Sequence, residues 1–214
     1  TPENAQTMAH AFLQALAPGR SVADAMQQAR VADVPAILEA QGMAIRAIGN
    51  RLTRPGHPAV PFGPVADGRV LPAMPAYGDL LTQAARRVPV LVGWTRDEMS
   101  AFQAAEPGSP AAQANQETAR AVFETPSRHW AAAARQAGRA AYVFAFDWAP
   151  PGSVFGACHC IELPFVFGSQ AAFAGAPMLG GVPAVPLESP SQRVRAAWLA
   201  FVRQGDPNAA GAQS

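Results

Sequence analysis

Two short runs constrain the fold of this 214-residue chain more than anything else in it. They are Val88-Pro-Val-Leu-Val-Gly-Trp94 and Ala140-Ala-Tyr-Val-Phe-Ala-Phe-Asp-Trp148, and both are apolar almost throughout. The first is β-branched and bounded by turn formers, which predicts a strand buried on both faces of a parallel sheet. The second reads as another strand. A helical stretch, residues 117–138, lies between them, and strands joined by helical crossovers imply an α/β fold. Two parallel strands, each apolar on both faces, cannot cover themselves. Either further strands lie hidden in the chain, or these two belong to a larger sheet.

The remaining segments read as helices and loops. Thr1-Pro2-Glu3 is a helix start: a capping hydroxyl, proline at the first helical position, then a carboxylate suited to the helix dipole. Ala5, Met8, Ala9, Phe12, Leu13 and Leu16 follow at helical spacing, and Pro18-Gly19 ends the helix. Ser21 and Asp33 are the expected caps of a second and a third helix. Residues 54–75 are rich in proline and glycine and predict an irregular loop, with a turn at Ala66-Asp67-Gly68-Arg69. Pro126 is expected to interrupt the 117–138 helix, with Ser127 as a new cap. Ser189-Pro190 opens a last helix, with Val194, Ala197, Trp198 and Phe201 on its apolar face, and Gly205 closes it.

Charge narrows the classes of function. Only 14% of residues are charged and the net charge is +1, so nothing points to a nucleic-acid or other polyanionic partner. No apolar stretch approaches the roughly 18 residues that would span a bilayer. The N-terminus carries no basic segment followed by an apolar run, so no signal peptide is expected within these residues. The expectation is a soluble protein without membrane contact, cytoplasmic or secreted.

Polar groups with chemical potential gather just past the two strands. Gly93-Trp-Thr-Arg-Asp-Glu-Met-Ser-Ala-Phe102 follows the first, and Gly156-Ala-Cys-His-Cys-Ile-Glu-Leu-Pro-Phe-Val-Phe-Gly168 follows the second. The C-terminal edge of parallel strands is where α/β proteins build their sites. Asp97 and Glu98 are the candidate carboxylates, although such a pair is also common at a helix N-terminus. His159 is the candidate proton carrier, although a lone histidine is commonly a buried one satisfied by a backbone carbonyl. Adjacent strands would bring a carboxylate and the imidazole together, which fixes the tautomer and stabilises the imidazolium. Cys158 and Cys160 sit at i and i+2, too close for a mutual disulfide of ordinary geometry. A Cys-His-Cys metal site has the wrong spacing for zinc and lacks a further ligand nearby. A thiol nucleophile at either cysteine is the sharper alternative, but both belong to the histidine's own loop and are expected to be packed and inert.

At these residues the chain resembles the type-B carboxylesterase and cholinesterase family. Val88–Phe102 looks like its acid loop, Gly156–Gly168 its histidine loop, and Ala196–Asn208 its closing helix and Gly-Asp-Pro-Asn turn. Pro64-Val-Ala-Asp-Gly68 with Leu71-Pro72 looks like its proline-rich loop. The segments run in the family's order and span nearly the whole chain. The resemblance implies an α/β-hydrolase fold, with residues 1–214 as the C-terminal portion of one carboxylesterase-type domain. That portion would carry the last strands of a mostly parallel sheet.

By position, the resemblance makes Glu98 the triad acid and His159 the triad base. Asp97 matches a neighbouring aspartate outside the triad. Glu162 matches a glutamate buried behind the histidine and is expected to accept a structural hydrogen bond. Cys160 stands where the family often has glycine, which should tighten the loop. Neither metal nor organic cofactor is implied. No Gly-x-Ser-x-Gly elbow occurs in the 214 residues, nor the Gly-rich oxyanion loop that precedes it. The nucleophile is therefore expected on the N-terminal part of the same protein, and this chain alone is expected to be inactive. The expected reaction is hydrolysis of a small-molecule carboxylic ester through an acyl-enzyme. Trp94, Phe102, Phe123, Trp130 and Phe165 are candidates for an acyl pocket and otherwise core. A non-catalytic relative used for adhesion or partner binding, or an independent small domain, are the alternative readings.

Overall fold

Local signals build the first eighty residues. The computed structural model describes residues 1–52, 62–73, 76–181 and 185–209. They form two compact units, Thr1–Leu80 and Leu81–Ser214. In the first, α1 (Pro2–Leu16), α2 (Val22–Val31) and α3 (Val34–Ile48) begin at the caps expected of them. Thr1 Oγ1 accepts from Asn4 N, Ser21 Oγ from Asp24 N and Asp33 Oδ1 from Ala36 N, each satisfying a donor the helix leaves open. Leu13, Ala17 and Ala25 are buried together, with Phe12 and Ala29 against them. Over 62–73 the chain is irregular, and the Asp67 carboxylate closes the turn by accepting from Arg69, Val70 and Leu71 N–H. The rest of the expected loop, 54–61 and 74–75, lies outside the described residues. Helix α4, Ala76–Ala85, follows.

The second unit is organised by a parallel pair, β1 (Val90–Thr95) and β2 (Ala141–Phe146). Val88 and Pro89 fall outside β1, since proline has no N–H for the ladder. The ladder's ends are fixed by Val90 N donating to Ala140 O and Arg96 N to Phe146 O, both at 2.9 Å. Gly93 stands opposite Phe144. A Cβ there would lie 2.3 Å from the Phe144 carbonyl oxygen and 2.6 Å from its ring, so only glycine admits that ring. Among the described residues the sheet has these two strands alone.

The crossover differs from expectation. It comprises α5 (Pro110–Ala119), a π-helical segment (Arg120–Glu124) and α6 (Thr125–Gln136). Ser109 caps α5, accepting from Ala112 N at 3.1 Å. Ser127 is no cap: it is buried inside α6. Pro126 does not break the helix because the wider π turn precedes it, where the missing N–H and the ring's clash with the preceding turn are absorbed. Ala133 and Ala134 of α6 pack with Ala85 and Val90, covering one side of the strands.

Beyond β2, Ala157, Cys158, Ile161, Phe165 and Leu179 form a buried cluster with Phe146 and Trp148 against it. Rings of Phe146 and Trp148 lie 5.2 and 4.8 Å from that of Phe165. Phe165 belongs to a short helix, α7 (Leu163–Phe167), that no cap or periodicity in the sequence marks. The last helix, α8 (Val185–Gln204), starts before the expected Ser189-Pro190 and carries Pro190 inside it. Ser189 accepts from the Arg193 side chain instead of capping, and Ser191 Oγ donates to Phe165 O. Gly205, at φ +73°, ends α8 as expected. In the turn that follows, Asp206 Oδ1 accepts from Asn208 N and Nδ2.

Candidate functional site

The strands end beside each other, so the segments after them meet. Past β1 the chain turns through a 3-10 segment, Glu98–Ala101, and past β2 it enters the loop that carries His159. Asp97 and Cys158 form a parallel bridge. Asp97 N donates to Ala157 O at 2.9 Å, and Ala157 N donates back to Asp97 Oδ2 at 2.8 Å. The same carboxylate oxygen accepts from Arg96 Nε and Nη2 at 3.1 and 3.0 Å. Ser100 Oγ donates to Asp97 O and lies against Phe155 O. Asp97 is thus the clasp between the two loops. Gly156 makes room for it: its φ is +59°, and a Cβ would stand 2.3 Å from Asp97 Oδ2.

This clasp sets the position of Glu98, the next residue. Its side chain is only 4% exposed. Burying a carboxylate is costly unless its oxygens are bonded. Oε1 accepts from the Thr95 backbone N–H at 2.8 Å, and Oε2 lies 2.6 Å from His159 Nδ1. The histidine is not the buried one satisfied by a carbonyl that its loop context allowed. Its partner is a carboxylate from another segment, and 37% of its side chain is exposed. Ala157, Cys158 and Ile161 are buried around it, which anchors the loop and leaves the imidazole at the surface. The bond to Glu98 uses Nδ1, so Nε2 is the nitrogen left for proton exchange. The His159 ring lies 5.4 Å from each of two phenyl rings, those of Phe102 and Phe123.

The other candidates fall into place around this pair. Cys160 has φ +68°, the one described non-glycine residue in the left-handed region, which accounts for glycine's suitability there. Cys158 is buried and Cys160 half-buried, both as free thiols, and burial pushes both thiols above their ordinary pKa. A raised pKa lowers the thiolate fraction and makes both poor nucleophiles. Glu162 meets the expectation of a structural acceptor only in part: its carboxylate takes a hydrogen bond from its own backbone, while Oε2 is buried without a partner among the described residues. Burial first, then the charge of Glu98, raises its carboxyl above the usual range, opposed by its backbone hydrogen bond and by His159. Trp94 is taken up by structure, with the Arg128 guanidinium 4.9 Å over its ring. Phe165 is core.

Two contributors are not legible in the sequence. The Thr95 N–H that holds Glu98 leaves no mark, because every residue but proline has one. The clasp role of Asp97 has one signal, a glycine three residues before His159. A cavity of about 300 Å³ is walled by Arg96, Asp97, Ser100, Asn115 and Phe155, but neither Glu98 nor His159 lines it.

Known proteins are similar to this chain over most of its length. A probable N-octanoylanthranilate hydrolase of Rhodococcus erythropolis is 31% identical over 188 residues, covering 82% of this chain and 41% of that protein. Phenmedipham hydrolase of Pseudarthrobacter oxydans is 26% identical over 189 residues, covering 72% of this chain and 38% of that protein. The crystal structure of a Geobacillus stearothermophilus carboxylesterase superposes with a TM-score of 0.67 at 27% identity, over 97% of this chain and 45% of that one. A PNB esterase structure, 23% identical with a TM-score of 0.67, shares the fold over 92% of this chain and 44% of its own. No protein-family model matches the chain. The chain spans less than half the length of each of these relatives. Its parallel strands, covering helices and two converging loops make it an α/β-hydrolase portion, and it belongs to the type-B carboxylesterase family.

Proposed function

We propose that the whole protein hydrolyses carboxylic esters through a Ser-His-Glu triad and an acyl-enzyme, with Glu98 and His159 of this chain as acid and base. The observation that carries this reading is the 2.6 Å contact between His159 Nδ1 and a buried Glu98 whose other oxygen is held by Thr95 N–H. Glu98 fixes the imidazole with Nδ1 bearing the proton and Nε2 directed to chemistry, and it stabilises the imidazolium once formed. The serine lies elsewhere in the protein, since these residues hold no Gly-x-Ser-x-Gly elbow.

In the first step the serine hydroxyl attacks the ester carbonyl as Nε2 of His159 takes its proton. Oxyanion donors outside these residues hold the negative oxygen. The imidazolium then protonates the leaving alcohol, which gives the acyl-enzyme. Water deacylates it by the same route, with His159 again as the base. The substrate class is a small uncharged ester, and neither metal nor organic cofactor takes part. Residues 1–214 alone are inactive, for want of the nucleophile.

Two measurements on the whole protein test this. A fluorophosphonate should label a serine in a peptide outside these 214 residues. His159→Ala should lower ester turnover at least about a thousandfold. Turnover that stayed within about tenfold, a barrier change of about 1.4 kcal/mol, would remove the role given to His159. A folded protein that took no label would be a non-catalytic member of the family.

A further inference from the structure

The π-helical segment Arg120–Glu124 does more than carry the helix past Pro126. A π turn holds an extra residue and so re-aims the side chains on it, and such turns recur at functional sites. Here it puts Phe123 with its ring centroid 5.4 Å from that of His159, tilted 47°. Phe102 meets the same imidazole at 5.4 Å and 46°. The two rings differ in origin. Phe102 is four residues after Glu98, on the turn that carries the acid, and is 65% exposed. Phe123 comes from the crossover, independent of both loops, and is half-buried.

His159 has reason to need such a ring. The loop anchors its backbone through Ala157, Cys158 and Ile161, but not its side-chain torsions. The contacts that hold the imidazole itself are the Glu98 bond and the two rings that meet it. An aromatic ring in contact makes the other staggered positions unfavourable, and tilted aromatic pairs are attractive in their own right.

We propose that Phe123 is a positioning residue, holding the His159 side chain in the rotamer that meets Glu98. The inference rests on the esterase reading above for its consequence in catalysis. The experiment uses the whole hydrolase, with its serine present. The primary readout is the proton NMR signal of the His159 Nδ1–H, which a short charge-assisted bond to Glu98 carries far downfield of the amides.

Phe123→Ala should lose that signal to exchange with water, with kcat lowered roughly tenfold and KM within about twofold. Phe123→Tyr, which keeps the ring, should restore the signal and the rate. Should Phe123→Ala fail to fold, Phe123→Leu keeps apolar volume without the ring and should show the same losses. An unchanged downfield signal in Phe123→Ala or Phe123→Leu overturns the proposal. So does a loss confined to KM, which would make Phe123 only a pocket wall. The functional reading is judged separately by His159→Ala. If that variant kept its turnover, the esterase role would fall, while the NMR signal would still decide whether Phe123 positions the imidazole.

Discussion

Residues 1–80 and residues 81–214 differ in how far apart in the chain lie the contacts that mark their elements. In the first unit the starts of α1, α2 and α3 are written within four residues of themselves: Thr1 on Asn4, Ser21 on Asp24, Asp33 on Ala36. The second depends on contacts across long stretches of chain. β1 pairs with β2 from Val90↔Ala141 to Thr95↔Phe146, Asp97 reaches Ala157, and Glu98 reaches His159. Local contacts form at little loop-closure cost and fail one at a time. Long-range ones need the intervening crossover in place. The reactive pair sits wholly in the second kind of structure, where a small displacement of a backbone separates acid from base.

The largest effect is therefore expected where a side chain would push the strands apart. Gly93→Ala puts a Cβ 2.3 Å from the backbone oxygen of Phe144, which cannot turn away. A loss of about 3 kcal/mol or more is expected in urea denaturation. The Nδ1–H signal of the Glu98–His159 bond should vanish with it. A mild loss with the signal intact would show that the register of the pair is not what places the loops.

Gly156→Ala asks the same question one layer out. Its Cβ would meet Asp97 Oδ2 at 2.3 Å, and the backbone is held at φ +59°. Asp97 must then give up its place against Ala157 N. A loss of about 2 kcal/mol is expected, from the left-handed backbone and the broken clasp together. Asp97→Asn keeps the shape and one acceptor oxygen, so it should retain more of the downfield signal than Gly156→Ala does. If both variants left that signal unchanged, the clasp would not be what sets Glu98.

In the first unit the corresponding test is a cap. Asp33→Ala removes one acceptor at the start of α3, 2.9 Å from Ala36 N, and should cost about 1 kcal/mol. Far-ultraviolet circular dichroism during denaturation would report it. A cost comparable to that of Gly93→Ala would erase the distinction between locally and distantly held units.

The same distinction explains what can be read in the sequence. Caps at Thr1, Ser21 and Asp33, the stop at Gly205 and the two strands with their crossover are legible because each signal lies within the element it marks. Glu98 and His159 stand out because each follows a predicted strand, and the two strands turn out to be neighbours. Their 2.6 Å contact requires the register, which no single segment carries. Ser127 and Ser189-Pro190 mislead because serine and proline mark helix starts only where the preceding residues are not already helical. At Pro126 a π turn, and at Pro190 an early position in α8, let the helix run on. The Asp97 clasp forms only when the two loops converge and leaves just Gly156 as its trace, and the Thr95 N–H leaves none, because a backbone donor is common to every residue but proline.

The smallest effect, and the one whose sign separates the units most plainly, is the dependence of stability on pH. In the first unit the exposed Glu3 carboxyl is held below its usual 4.5 by a hydrogen bond from its own backbone, then by Thr1. Its contribution is present above that value and lost as pH falls through the lower native value. Glu162 in the second unit is the reverse case. Burial raises its carboxyl above 4.5, and Oε2 has no partner among the described residues. Between 4.5 and its raised native value, the folded chain keeps a proton that the unfolded chain has released. Stability then falls as pH rises through that window and levels off above it. Glu162→Gln removes the ionisation while keeping the shape. Urea denaturation from acid to neutral pH should show the variant gaining on the parent as pH rises above 4.5 and matching its slope at neutral pH. Parallel curves throughout would mean that Glu162 ionises in the fold as freely as in the unfolded chain. The orphaned oxygen of Glu162 would then be solvated in practice, and the contrast in sign with Glu3 would be lost.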